Sequence, residues 1–171
     1  MTMRRTVLTF GVISGVVSAA MMLATLPFVD AIGFDKGELV GYTAIVLSFL
    51  LVFFGIRAYR QDAGAGRITF GRAFAVGILI TLISCAFYVM TWEVIYFKLM
   101  PGFGEKYAGY MVAQARAAGG SQDAIDARVR DAQTFKEMYD KPLVNAALTF
   151  TEPFPIGLAM TVISAAVLRK R

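Results

Sequence analysis

Glu152 stands between Thr151 and Pro153, with a second proline at Pro155, in an apolar stretch that runs from about Leu143 to Leu168. At membrane depth a carboxylate and two prolines are expensive, because each ionised side chain and each freed backbone carbonyl must find a partner or water. Asn145, Thr149 and Glu152 follow one another at i, i+4 and i+7, which gives the outer half of this helix one polar face. Pro153 and Pro155 lack the amide protons that would bond the carbonyls of Thr149 and Thr151, and they bias the residues before them away from helical geometry. The pattern predicts a kink with two carbonyl oxygens beside a carboxylate. Two readings stay open: a kinked helix with a water-satisfied Glu152, and a site for a proton or a cation.

Glu93 is the second carboxylate in an apolar run, inside Trp92-Glu93-Val94-Ile95-Tyr96. Counting about 20 residues outward from Arg72 places it near the outer membrane boundary, where Trp92 and Tyr96 make an aromatic belt. A solvated interfacial carboxylate is expected, with Lys98 or the outer segment as alternative partners. The chain has no histidine, which removes the usual general base and the commonest metal ligand. Cys85 is the only cysteine, so no internal disulfide is possible. There is no phosphate loop and no metal-ligand cluster, and no catalytic residue, metal site or cofactor is assigned.

The elements that carry these residues are apolar helices. Of the 171 residues, 57% are apolar, above the roughly 45–50% of soluble domains. Runs at about 7–29, 39–58, 73–97 and 143–168 each approach or exceed the roughly 20 residues that cross a bilayer. The first run follows Arg4 and Arg5 but continues past Ser18-Ala19-Ala20, beyond the about 7–15 apolar residues of a signal peptide, and is read as a span. The expected fold is all-α: one integral membrane domain over residues 1–171, built as a four-helix transmembrane bundle.

Small residues are what bring helices together in lipid, where hydrophobicity cannot drive contact. Gly11 and Gly15 supply such a spacing in the first span, as do Ser14 and Ser18. In the third span Gly77, Thr81, Ser84, Tyr88 and Thr91 lie within about 40° of one another and should face the bundle, with Glu93 roughly 160° away.

The net charge of +5 is distributed as a topology signal rather than as a nucleic-acid surface. Arg4, Arg5, Arg57, Arg60, Arg67, Arg72, Arg169, Lys170 and Arg171 mark the two termini and the second connection, whereas the first connection carries Asp30, Asp35 and Glu38 against Lys36. The positive-inside rule then puts both termini in the cytoplasm. Contact with anionic lipid is a further use of these charges.

Residues of the segment from Lys98 to Pro142 are therefore expected outside, as an amphipathic αα-hairpin over about 103–140. Its seven basic and six acidic residues nearly balance. Gly119-Gly120 ends one helix, Ser121 caps the next, and Ile125, Val129, Ala132, Phe135 and Tyr139 repeat at helical spacing.

Three segments carry a family resemblance: Gly66-Arg67-Ile68-Thr69-Phe70-Gly71-Arg72-Ala73-Phe74, Trp92-Glu93-Val94-Ile95-Tyr96 through Met100-Pro101, and Thr149-Phe150-Thr151-Glu152-Pro153-Phe154-Pro155-Ile156-Gly157 to the basic C-terminus. Over nearly its whole length the chain resembles a family of small bacterial four-span membrane proteins known only as a domain of unknown function. The resemblance implies a multi-pass protein of the bacterial inner membrane and carries no catalytic assignments. The leading expectation is a non-enzymatic protein that acts in the lipid bilayer through a membrane or periplasmic partner or as a homo-oligomer. The alternative is a small proton- or cation-linked transporter or channel subunit that uses Glu152.

Overall fold

A computed structural model describes residues 2–170, so Arg171, read above as a cytoplasmic charge, lies outside the described residues. These residues form helices and no strand. Three helical stretches are long and apolar enough to cross a membrane: Met3–Ala63, Phe70–Leu99 and Pro142–Leu168. The helices gather into two compact units, one made of the residues up to Thr91 with those from Phe150 on, the other of Trp92–Thr149.

In the first unit, helix α1 (Met3–Thr25) begins at Thr2, whose hydroxyl accepts from the Arg5 amide at 3.4 Å. Pro27 then removes a helical donor, and the chain tightens into a single 3-10 turn over Leu26–Phe28. Helix α2 (Val29–Ala63) follows at once. Gly33, inside it, has φ 72° and ψ 167°, a conformation that side-chain-bearing residues rarely adopt. The acidic connection around Asp30 to Glu38, expected between two spans, is thus helical on both sides of Gly33. Composition marked where the chain turns, but the turn needs only Pro27 and Gly33.

After the turn α2 packs back along α1, and the Ser14 hydroxyl donates to the Ser48 carbonyl at 2.9 Å. A loop follows in which Gly64 is obligatory, since a Cβ there would collide with the Arg67 carbonyl oxygen. Thr69 opens helix α3 (Phe70–Val94), its hydroxyl accepting from the Arg72 amide at 3.4 Å. Helix α7 (Pro153–Leu168), the last in the chain, packs on α2. Its end is tied to the α2–α3 loop by an isolated antiparallel bridge: Ile68 donates to Lys170 at 2.9 Å and Lys170 to Ile68 at 3.0 Å.

The core of this unit is assembled from Phe49, Val52, Ile56, Val76 and Ile80, all essentially inaccessible. Serine and threonine are buried with them, whereas Leu39, Ile163 and Val167 are exposed. That inversion suits a helix bundle whose solvent is hydrocarbon.

Helix α3 ends in one π-helical turn, Ile95–Leu99, which with Trp92 onward belongs to the second unit. There α4 (Phe103–Ala117) packs on α5 (Gln122–Tyr139). Gly119, at φ 69°, ends α4, and the Ser121 hydroxyl caps α5 by accepting from the Ala124 amide at 3.4 Å. Helix α6 (Pro142–Phe150) follows, and a two-residue turn at Thr151 and Glu152 separates it from α7.

Gly157 of α7 lies tightly against α3 and α2, because a Cβ there would collide with Cγ2 of Thr81 and lie 2.8 Å from Cζ of Phe49. Gly157→Leu should therefore destabilise the fold by about 1–3 kcal/mol through overpacking. Unfolding in mixed micelles checks this, and Gly71→Leu, at a position with open space, serves as the control.

Candidate functional site

Glu152 occupies the N-cap position of α7 but makes no capping hydrogen bond. Its carboxylate is held from another helix instead: the Tyr88 hydroxyl of α3 donates to Oε2 at 2.9 Å. Glu38 of α2 lies close enough to act electrostatically on the same carboxylate. Phenol and carboxylate thus come from helices 64 residues apart in sequence. Sequence reasoning placed Tyr88 on the bundle-facing stripe without pairing it to Glu152, and treated Glu38 only as a charge in a connection. The signal for Tyr88 was its register, four residues beyond Ser84 on the face that meets α7. Pro153, which is buried, and Pro155 form the first turn of α7, where missing amides cost little because the first helical donors have no intrahelical acceptor anyway.

Asn145 and Thr149 are 0% and 1% exposed and belong to the second unit, whereas Glu152 belongs to the first. The Thr149 hydroxyl donates to Oδ1 of Asn145 at 3.0 Å, and Nδ2 of Asn145 donates to the Tyr139 carbonyl at 3.0 Å. That carbonyl belongs to the last turn of α5, where helical carbonyls lack an internal acceptor role. Asn145 therefore fastens the end of α5 to α6.

Around the π turn the second unit builds a polar and aromatic centre. Tyr96 donates to Oδ1 of Asp140 at 2.9 Å, and Nζ of Lys136 reaches Oδ2 at 3.1 Å and Oε1 of Glu105 at 3.8 Å. Gly104 admits this arrangement, since a Cβ there would lie 2.5 Å from the Tyr96 hydroxyl. Partial burial alone would raise the Asp140 pKa, but the hydrogen bonds from Tyr96 and Lys136 outweigh it and hold it below the usual value. The hydrogen bond to Asp140 in turn raises the Lys136 pKa. Phe103, Tyr107, Phe135 and Tyr139 continue the cluster, with ring centroids 6.2, 5.4 and 4.3 Å apart in succession. Glu93 is half-buried, and its Oε1 is sequestered without a hydrogen-bond partner, as is Nε1 of Trp92. That differs from the solvated anchor or ion-paired residue expected from its place in the sequence, because depth along a helix does not fix the direction in which a side chain faces.

No group of three or more metal-ligating side chains occurs among the described residues. A family model described as "Protein of unknown function (DUF4199)" matches residues 9–170, nearly the whole chain. The chain belongs to the DUF4199 family. The curated proteins and the solved structures give no match.

The stretch that matches DUF4199 contains Glu93, Asn145, Thr149, Glu152, Pro153 and Pro155. Its small residues sit at close helix approaches: a Cβ on Gly11 would lie 2.9 Å from that of Ile83, and one on Gly15 2.5 Å from Cγ of Phe87. Gly77 faces Thr161 and Ile56 in the same way, each at 2.9 Å. Thr81 and Thr161 share a hydroxyl hydrogen bond of 3.0 Å, and Ser84 bonds the carbonyls of Ile80 at 3.0 Å and Gly11 at 3.4 Å.

Two outcomes are expected in this DUF4199 chain. Asn145→Ala should destabilise the protein by about 1–3 kcal/mol, because it strands the buried Tyr139 carbonyl and the Thr149 hydroxyl. Denaturant titration of the purified protein, with Ala147→Ser as an exposed control, measures it. The Asp140 contribution has a defined sign: with its folded value depressed, it is present above the ordinary aspartate range of about 3.9 and lost as pH falls through the lower folded value. Hydrogen exchange of α4 and α5 should accelerate over that acid window in the wild type and show no such step in Asp140→Asn.

Proposed function

We propose that this DUF4199 member is a non-enzymatic four-span protein of the bacterial inner membrane, with both termini cytoplasmic, whose α4–α5 hairpin meets a membrane or periplasmic partner or a second copy of the chain. The four-span reading is supported by the doubling of Met3–Ala63. Its 61 residues would measure about 90 Å as one straight helix, three times the thickness of hydrocarbon, yet α1 and α2 pack against one another. The distribution of arginine and lysine supports the orientation.

One observation carries the partner reading. Residues 92–149, which take in the segment between the last two apolar stretches, form a compact unit with an aromatic centre and a tied ion-pair network of its own, not a mere connection. Short loops suffice to join spans, and a segment this long with built structure is usually functional. Asp123, Asp126, Arg128, Arg130 and Asp131 stay exposed on α5, giving the hairpin a mixed-charge outer face.

A second reading rests on Glu152. A carboxylate between the helical segments of an apolar stretch, with a phenol donor and a second carboxylate, Glu38, in electrostatic range, has the ingredients of a proton- or cation-linked transport site. Four helices make a complete pathway only in an oligomer.

The readings part in one set of measurements. Removing residues 104–140 should abolish co-purification of a specific partner or a homo-oligomer while the remaining chain stays in the membrane. An unchanged set of associated proteins and an unchanged oligomeric state would refute the partner reading. Glu152→Gln should leave that association intact, and in reconstituted vesicles it should alter ion flux only if the transport reading holds. Cysteines at Asp35, Gln61 and Ser121 check the topology: labelling of Gln61 from outside overturns the orientation.

A further inference from the structure

Ile68 and Lys170, joined by the bridge, both line a cavity of about 300 Å³, at the lower end of the about 300–1,000 Å³ of small-ligand pockets. Arg67, Arg72 and Lys170 line it with Tyr59 and Thr69, and no acidic side chain among the described residues does; Asp62, close by in sequence, is outside the lining. Arg60, one turn before the end of α2, gives Nη1 to the Leu168 carbonyl at 3.2 Å, and its Nε is buried without a partner. Cationic side chains from three separate segments therefore line one space, with no carboxylate among the described residues of its lining.

Its depth identifies the ligand class. The cavity sits where α2 ends at Ala63, α3 begins at Phe70 and α7 ends at Leu168, the common end of three apolar helices. Phe70 and Val167, exposed apolar side chains, lie at the same level of the sequence. A membrane places lipid phosphates beside acyl chains at this height, and basic pockets between spanning helices hold such headgroups. Guanidinium groups suit a phosphate because their forked donors match its oxygens. We propose that this cavity binds the phosphate of an anionic phospholipid and, through it, fastens the α2–α3 loop and the end of α7 to the lipid surface.

The test uses the full-length protein in neutral detergent, titrated with phosphatidylglycerol, phosphatidylcholine or inorganic phosphate, with melting temperature and native mass spectrometry as readouts. Phosphatidylglycerol should bind at least tenfold more tightly than phosphatidylcholine and raise the melting temperature, with inorganic phosphate failing to displace it. Arg67→Ala, Arg72→Ala and Lys170→Ala combined should lose that preference. Arg4→Ala, Arg5→Ala and Arg57→Ala combined, which remove as many charges outside the cavity lining, should keep it. Equal loss in both variants, or a preference that survives in the cavity variant, overturns the proposal. Displacement by inorganic phosphate assigns the cavity to a soluble phosphate instead and overturns the lipid source. Should the cavity variant not fold, the wild-type ratio decides, and a preference below twofold refutes the site.

Discussion

The approach of α3 to α7 at Thr81, Gly157 and Thr161 is the constraint on which the apolar unit depends. Lipid tails are as apolar as leucine, so helices in a membrane gain little by hiding hydrophobic side chains and must gain by close packing and interhelical hydrogen bonds. A Cβ on Gly157 has no room, and Thr81 donates to the Gly157 carbonyl at 3.3 Å while bonding the Thr161 hydroxyl. The same device recurs where Ser14 of α1 bonds the Ser48 carbonyl of α2, and where Ser84 of α3 bonds the Gly11 carbonyl of α1. Every helix of this unit is thus joined to another by a small residue or a hydroxyl. Other large aliphatic residues face outward, Val167 being 68% exposed.

The unit formed by Trp92–Thr149 obeys different physics. Its centre is built from aromatic rings and a charge network, and its outer faces are charged, as in a water-soluble helical pair. Tyr96 belongs to the π turn at the end of an apolar helix, yet it spends its hydroxyl on Asp140 at the end of α5, which ties that turn to the charge network of the unit. Asn145 fastens α6 to the end of α5 by taking up the Tyr139 carbonyl.

Much of this was legible in the sequence wherever the cause was local. Gly119 and Ser121 mark the ends of α4 and α5 because a left-handed turn and an N-cap are properties of one residue each. The stripe from Gly77 to Ser84 is periodic, so its bundle-facing side follows from helix geometry alone. Membership of a family of unknown function was likewise readable from three short segments. What stayed hidden depended on pairing between distant elements. Helical spacing set Asn145, Thr149 and Glu152 on one face, but partners are chosen in three dimensions, and Tyr88 is 64 residues from Glu152. The sequestered Oε1 of Glu93 could not be read from a hydropathy count, which measures depth and not the direction a side chain faces.

Glu152 can now be weighed by the groups that surround it rather than by its depth. A carboxylate at a helix N-terminus is favoured by the helix dipole, and the hydrogen bond from Tyr88 satisfies one lone pair of Oε2. These two interactions explain how α7 tolerates the charge, so tolerance by itself is no argument for a bound ion. Glu38 adds little to this balance, ranking behind burial and the Tyr88 hydrogen bond among the influences on the Glu152 carboxylate. Substitution at Glu38 leaves the Tyr88 hydrogen bond in place, whereas substitution at Glu152 alters it, so the link between α3 and the start of α7 rests on Tyr88 and Glu152.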